Sequence, residues 1–212
     1  MSQATADMRR DYDRDMLLEM QAAADPLVQF RRWFDDALAG EIYEPNAMAL
    51  ATVGPDGRPS LRMVLLKDFD RHGFVFYTNL ESRKAMELAG NARASLLFWW
   101  DRLHRQVRID GTVRPVADEE ADAYFASRPH GSRIGALASP QSRVIDGRAG
   151  LEARVAALAA QYPQDVPRPH HWSGYRVAPD GFEFWQGRQS RLHDRLRYNR
   201  SGQDWRIERL AP

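Results

Sequence analysis

The sequence predicts a mainly β protein with peripheral helices (α+β), its strands forming a closed or split antiparallel barrel. Three observations lead there. Runs rich in β-branched and aromatic residues outnumber the helical patterns, and short turns separate them. Consecutive strands lie too close together for parallel crossovers, which need about a dozen residues or more. Neither G-x-G-x-x-G nor G-x-x-x-x-G-K-[ST] occurs, so any phosphate must be held without a dinucleotide or P-loop turn.

The elements follow in order. Residues 1–24 are polar and aperiodic and read as a mobile arm; residues 25–212 read as a single domain. Asp25-Pro26 is an N-cap followed by proline at the first helical position. Leu27, Phe30, Phe34 and Leu38 recur at helical spacing, and Gly40 is a stop. Ala47 to Val53 is a strand ending in the turn Gly54-Pro55-Asp56-Gly57. Ser60 to Phe69 and Phe74 to Asn79 are strands joined by a turn at Asp70 to Gly73, an antiparallel hairpin pattern. Ser82 to Ala89 is a short helix, and Ala92 to Arg102 and Arg105 to Val116 are strands. Asp118 to Ser127 is a helix whose acidic start suits the helix dipole. Gly147 to Tyr162 is an Ala-rich helix. Trp172 to Val177, Gly181 to Gln186, Leu192 to Asn199 and Trp205 to Leu210 complete the strands.

Composition narrows the function. Hydrophobic residues are 43% and charged residues 28%, with a formal net charge of +1, which argues against a general binder of nucleic acid or anionic membrane. There is no cysteine, which removes disulfides, thiolate metal sites and thiol nucleophiles. The N-terminus has no apolar signal core, and no stretch approaches the roughly 18 apolar residues of a membrane span. A soluble cytoplasmic protein is expected. Lysine occurs only at Lys67 and Lys84, so all but two of the 30 basic residues are arginine. Two sites that kept a compact ammonium in an arginine-rich chain are candidates for ligand contact; chance retention is the alternative.

Several segments can carry chemistry. Arg83 and Lys84 fall in the first turn of the short helix, where cations oppose the dipole unless an anion is bound, although a solvated basic pair is the commoner arrangement. Arg62-Met63-Val64-Leu65-Leu66-Lys67 carries a charge at each end of an apolar run; strand alternation sends Arg62 and Lys67 to opposite faces unless a bulge intervenes. Gln106 lies on an alternating strand with a polar face and can read the polar edge of a heteroaromatic ring, or simply face water. Tyr124 and Arg128 are four apart and share a helix face, where a phosphate could sit between them, or where they are ordinary surface decoration. Arg191, His193 and Arg195 alternate onto one side of a strand, a face that must meet solvent or an anion because unpaired buried charge is unfavourable. His193 and Asp194, adjacent on a strand, point apart, so no hydrolase triad is expected. His170-His171 stand in a Pro-rich loop with no ligating partner at metal spacing, so no metal is expected.

Taken together and in order, RMVLLK (Arg62–Lys67), FYTNLESRKA (Phe76–Ala85), RQV (Arg105–Val107), YFASRP (Tyr124–Pro129), SPQS (Ser139–Ser142), EFWQG (Glu183–Gly187), RLHDR (Arg191–Arg195) and RLAP (Arg209–Pro212) resemble the pyridoxine/pyridoxamine 5′-phosphate oxidase family. The resemblance runs from about Arg9 to the end. It implies an antiparallel FMN-binding split β-barrel, a homodimer with FMN at the subunit interface, and oxidation of pyridoxamine or pyridoxine 5′-phosphate to pyridoxal 5′-phosphate with oxygen reduced to hydrogen peroxide. By position it implies FMN contacts at Arg62, Met63, Val64, Leu65, Lys67, Tyr77 and Thr78. Arg83 and Lys84 would meet the FMN phosphate, Gln106 the ring, with Gln141, Ser142, Trp185 and Arg195 completing the site. The substrate phosphate falls to Lys67, Tyr124, Arg128 and Ser132, and Arg191 and His193 sit at the reacting carbon as the catalytic pair. The Ser132 position depends on register, because His130-Gly131-Ser132-Arg133 departs from the family pattern. Arg9, Arg10, Asp11 and Tyr12 resemble an arm motif that approaches ligand in this family. Both lysines thus fall on implied ligand positions.

Other readings use the same fold or another class. A split barrel also serves flavin reductases, deazaflavin-dependent reductases and haem-handling proteins. A non-catalytic carrier of FMN or pyridoxal phosphate would show no turnover. A nucleic-acid binder would show strong salt dependence, against which the small net charge speaks.

Overall fold

The computed structural model describes Tyr12 and residues 15–212. The elements are helix α1 (Pro26–Ala39), strands β1 (Ala47–Val53), β2 (Pro59–Leu65), β3 (Asp68–Asp70) and β4 (Gly73–Asn79), helix α2 (Arg83–Gly90), strands β5 (Arg93–Trp100) and β6 (Arg105–Pro115), helices α3 (Asp118–Ser127), α4 (His130–Ala138) and α5 (Arg148–Gln161), and strands β7 (Trp172–Gln186), β8 (Asp194–Ser201) and β9 (Asp204–Arg209). The strand order is β2-β1-β5-β6-β7-β4-β3, with β8 paired to β7 and β9 to β8. The registers of β3 with β4, β4 with β7, β7 with β8 and β8 with β9 are antiparallel. The path ends at β2 and β3, so the arrangement is the open, split one. The mainly β, α+β class is therefore as expected.

The chain divides into two compact units. The first holds the described residues up to Ala49 with 95–111 and 179–212; the second holds 50–94 and 112–178.

In the first unit, Asp25 caps α1 by accepting a hydrogen bond from Leu27 N at 2.8 Å, with Pro26 behind it. The buried stripe is Phe30, Trp33 and Ala37, while Leu38 is exposed. The periodicity was right but the face is turned by about one residue from the Leu27–Leu38 line. Phe30 packs on Phe98 and Trp100, and Trp33 stands edge-on to Phe184 at 5.3 Å. Burying each of these large rings is worth about 2–3 kcal/mol. Of the segment read as an arm, Leu17 is buried and its N–H donates to Asp194. Asp15 pairs with Arg105 at 3.0 Å, and Glu19 with Arg209 at 2.6 Å. Nothing in its polar, aperiodic sequence foretold these contacts. Arg9, Arg10 and Asp11 lie outside the described residues.

In the second unit, β4 is buried almost throughout, Phe74, Val75 and Phe76 completely. Gly73 opens it at φ +131°, and a Cβ there would stand 2.0 Å from Val177 O, so only glycine fits. Three departures from the sequence reading matter for the site. Ser60 to Phe69 is not one strand: it breaks at Leu66–Lys67, where Leu66 is buried and Lys67 N bonds Val75 O, so that β3 pairs with β4. Trp172 to Gln186 is one strand, because Pro179 falls between the register with β4 (up to Val177) and that with β8 (from Gly181), where its missing N–H breaks neither ladder. Helix α4 went unread: Gly131 and Gly135 dilute its pattern, and no side chain caps it, yet Ile134 and Ala138 are buried four apart.

Candidate functional site

A cavity of about 810 Å³ lies wholly within the second unit, a size suited to a small-molecule ligand. It is built from five pieces, one of them Trp172 at the start of β7. Strand β2 and the break after it contribute Arg62, Met63, Val64, Leu65 and Lys67. The break reconciles the strand parity: with alternation lost at Leu66, Arg62 and Lys67 reach the same cavity rather than opposite faces. The end of β4 and the start of α2 give Tyr77, Thr78, Asn79 and Lys84; the α3–α4 corner gives Tyr124, Arg128, Pro129 and Ser132; the end of α4 and the turn beyond give Ser139 and Gln141.

One wall is aromatic. Tyr77 stacks on Tyr124 at 4.0 Å and on Trp172 at 5.3 Å, all nearly parallel. Gly174 makes room for this, since a Cβ there would come within 2.7 Å of the Tyr77 ring. Burial, then the charge of Glu120, pushes the Tyr77 phenol up to about 12, so it stays protonated.

Four cations converge on the cavity. Arg62 donates to Leu50 O, Thr52, Ser60 and Glu87. Lys84 Nζ donates to Gln141 Oε1 at 2.7 Å and to Thr78 at 3.1 Å; burial, and then Arg62, bring it down to about 8. Lys67 lies 6.0 Å from the Tyr124 ring centre. Arg128 lies over the Trp172 ring at 4.9 Å, and its NH1 is buried without a hydrogen-bond partner; burial lowers its pKa. A buried guanidinium N–H left open at a cavity wall is a position for an anion's oxygen.

Besides Asn79, Ser139 and Trp172, which line the cavity, the sequence reading missed Glu87. It is 4% exposed and accepts from Thr52, Ser60, Arg62 and Arg83. Burial alone would raise its carboxyl, but those four donors outweigh burial and hold it at about 2. It fixes Arg62 and takes Arg83 with it: Arg83 bonds Glu87 at 2.8 Å and does not line the cavity. Its signal was present in sequence as an i, i+4 partner of Arg83. Ser142, at φ +71°, is exposed in the turn beside Gln141 and does not line the cavity either.

The remaining expected residues stand in the first unit. Gln106 is half-buried on β6 beside buried Val107. Arg195 donates to buried Glu183 at 2.8 Å and to Ala211 O. Trp185 lies 4.6 Å from His193, and Tyr12 packs against His104, Trp185 and His193. The strand reading of Arg191 and His193 is corrected: β8 begins only at Asp194, and Ser190 and Arg191 both adopt left-handed backbone at φ +54° and +64°. Consecutive non-glycine residues in that region hold local strain, and it leaves Arg191 exposed. His193 Nδ1 accepts from Arg188 N at 3.1 Å, so the hydrogen of the neutral ring sits on Nε2. Burial, then Arg191, lowers its pKa. Asp194 turns instead to Arg209 and Leu17 N, so no His–Asp dyad forms.

Residues 34–162 match the family model described as pyridoxamine 5′-phosphate oxidase. Residues 172–212 match that of the pyridoxine 5′-phosphate oxidase C-terminal dimerisation region. The chain is 59% identical to a pyridoxine/pyridoxamine 5′-phosphate oxidase of Gloeothece citriformis over 100% of both chains. It is 60% identical to that of Burkholderia multivorans over 98% of both. Among solved structures, PhzG from Burkholderia lata, in complex with tetrahydrophenazine-1-carboxylic acid, superposes with a TM-score of 0.89 at 36% identity, covering 93% of this chain and 98% of that one. A related FMN-binding protein of Nostoc punctiforme shares the fold at TM-score 0.71 and 19% identity, covering 86% and 97%.

Proposed function

Because the chain belongs to the pyridoxamine 5′-phosphate oxidase family, we propose that it oxidises pyridoxamine 5′-phosphate or pyridoxine 5′-phosphate to pyridoxal 5′-phosphate with FMN as cofactor and oxygen as final acceptor. The observation that carries this reading is the cavity itself: Arg62, Lys67, Lys84 and Arg128 around a parallel aromatic wall, with Arg128 NH1 buried and unpartnered. Such a donor set fits phosphate oxygens and a flat ring. FMN supplies a hydride acceptor that oxygen can regenerate.

The chain's own residues bind and orient. FMN falls to Arg62 to Leu65, Lys67, Tyr77, Thr78, Lys84 and Gln141 of the cavity. Gln106, Trp185 and Arg195 are the further contacts that the family pattern assigns, with Arg83 and Ser142 placed beside the cavity rather than in it. Lys67, Tyr124, Arg128 and Ser132 take the substrate phosphate. Arg191 orients the reacting end. His193 serves as a donor through Nε2–H, since its Nδ1 already accepts from the backbone and burial keeps the ring neutral.

A homodimer with FMN at the subunit interface completes the reading. The matched dimerisation region supports association. So does β2, which ends the strand path with Leu61 68% and Met63 64% exposed, an apolar edge that proteins normally cover.

The similarity to PhzG favours one second reading, oxidation of a reduced polycyclic acid at the same site. The test is direct. The purified protein should show a flavin spectrum and, given pyridoxamine 5′-phosphate in air, form peroxide and pyridoxal 5′-phosphate over many turnovers. Flavin without turnover on either phosphorylated substrate would move the reaction to the second reading, and failure to take up FMN would end both.

A further inference from the structure

Outside the cavity, the loop leading into β7 brings two imidazoles against the turn between β4 and α2. We propose that Glu81, His170 and His171 form a binding site for a divalent transition-metal ion, with zinc the ion that suits the donor set best. One ligating atom from each residue lies within 4.8 Å of the others, and no second such group occurs among the described residues. The sequence sets Glu81 far from the two histidines; the fold supplies the carboxylate that the Pro-rich loop lacks.

The site is held by its surroundings. Leu80 N donates to His171 O at 2.6 Å, tying the two loops together. Asn79 Oδ1 accepts from Glu81 N at 2.7 Å, which fixes the turn. His171 Nε2 lies 3.2 Å from Ala136 O. A carbonyl only accepts, so that nitrogen carries the hydrogen and Nδ1 keeps its lone pair for a metal, the usual arrangement of a ligating histidine braced through its other nitrogen. Glu81 and His170 are exposed. Tetrahedral ligands at about 2.1 Å from zinc stand roughly 3.4 Å apart, so atoms now within 4.8 Å of one another need to close in by ~1.4 Å at most. Two imidazoles and one carboxylate favour zinc, cobalt, nickel or copper over magnesium or calcium, and three protein ligands leave the fourth position to water. Arg143, 3.3 Å from Glu81 Oε2 and itself exposed, yields its partner when the ion binds. The ion joins the loop before β7 to the turn that leads into Ser82 and Lys84. This inference does not rest on the proposed reaction.

The experiment is a calorimetric titration of the full chain, free of any histidine tag and freed of metal by a chelator, with zinc chloride and separately with magnesium chloride. One zinc per chain should bind and magnesium should not. His170→Ala and Glu81→Gln should each weaken zinc at least about tenfold, while His72→Ala should bind as the parent does. Absence of saturable zinc binding, or affinity retained in both site variants, overturns the proposal.

Discussion

Replacing Arg128 by methionine should stabilise the ligand-free protein while weakening its hold on phosphate. The two effects come from one side chain and have opposite signs. NH1 of Arg128 is buried without a partner, and an unsatisfied buried donor costs about 1–3 kcal/mol. Against this, the guanidinium over Trp172 at 4.9 Å and near Phe125 at 5.7 Å returns about 0.5–2 kcal/mol. Methionine keeps the unbranched stem and a sulfur–aromatic contact with Trp172. At the middle of these ranges the net change is about 1.5 kcal/mol in favour of the variant, with extremes from about 0.7 kcal/mol against it to about 4 kcal/mol in favour. For a chain of this size each kcal/mol moves Tm by about 2–4 °C. Binding runs the other way. Losing charge-assisted bonds to phosphate at about 1.5–3 kcal/mol each should raise Kd by about two to four orders of magnitude if two are made. Thermal denaturation of the ligand-free protein and calorimetric titration with pyridoxal 5′-phosphate measure the two sides. A variant that melts lower than the parent and binds phosphate as well as it does would refute the reasoning, making Arg128 a packing residue.

The other expectations are briefer. Glu87 titrates at about 2 in the fold against 4.5 as the ordinary value; a depressed carboxyl contributes stability that is present above pH 4.5 and lost as pH falls towards 2. Glu87→Gln should be less stable at pH 7 by about 2–4 kcal/mol and show a flatter acid limb, read by urea unfolding at stepped pH. Lys84, lowered to about 8, is cationic below that value, so phosphate affinity should decline as pH rises through 8, and Lys84→Arg should remove the inflection in the same titration. Gly73→Ala should destabilise by more than about 3 kcal/mol or prevent folding, seen in the denaturant midpoint, because its Cβ would overlap Val177 O at positive φ. Leu61→Arg should shift sedimentation towards monomer if β2 forms the covered edge.

The regular part of this fold was open to reading because its signals are local. Asp25-Pro26 announces α1, the alternation of Met48, Leu50 and Thr52 announces β1, and the acidic first turn announces α3. What escaped depends on contacts distant in sequence. Nothing within Leu65-Leu66-Lys67 says that the chain leaves β1 for β4 at that point. Helix α4 hides behind two glycines, although it lines the cavity. The α1 face turned because Trp33 found Phe184 across the unit. For the site, spacing alone left every candidate beside an ordinary alternative, and only family likeness collected them. Most of the second-unit residues so collected do line one cavity, while Arg83 and Ser142 do not. Glu87 was overlooked because its i, i+4 spacing from Arg83 suggests only a surface ion pair and does not say that it will be buried among four donors.

The two lysines carry a consequence for chemistry done on the protein. Both line the same cavity, and the rest of the surface offers guanidinium groups, which do not condense with carbonyl compounds as primary amines do. The aldehyde product of the proposed reaction would thus find almost nothing outside the cavity to modify, apart from the terminal amine. For the same reason, reductive methylation with isotopically labelled formaldehyde would place its methyl groups at Lys67, Lys84 and the chain terminus alone. The resulting NMR spectrum would hold a handful of signals. Those from Lys84, whose ammonium titrates near 8, would follow ligand entry without any engineered label.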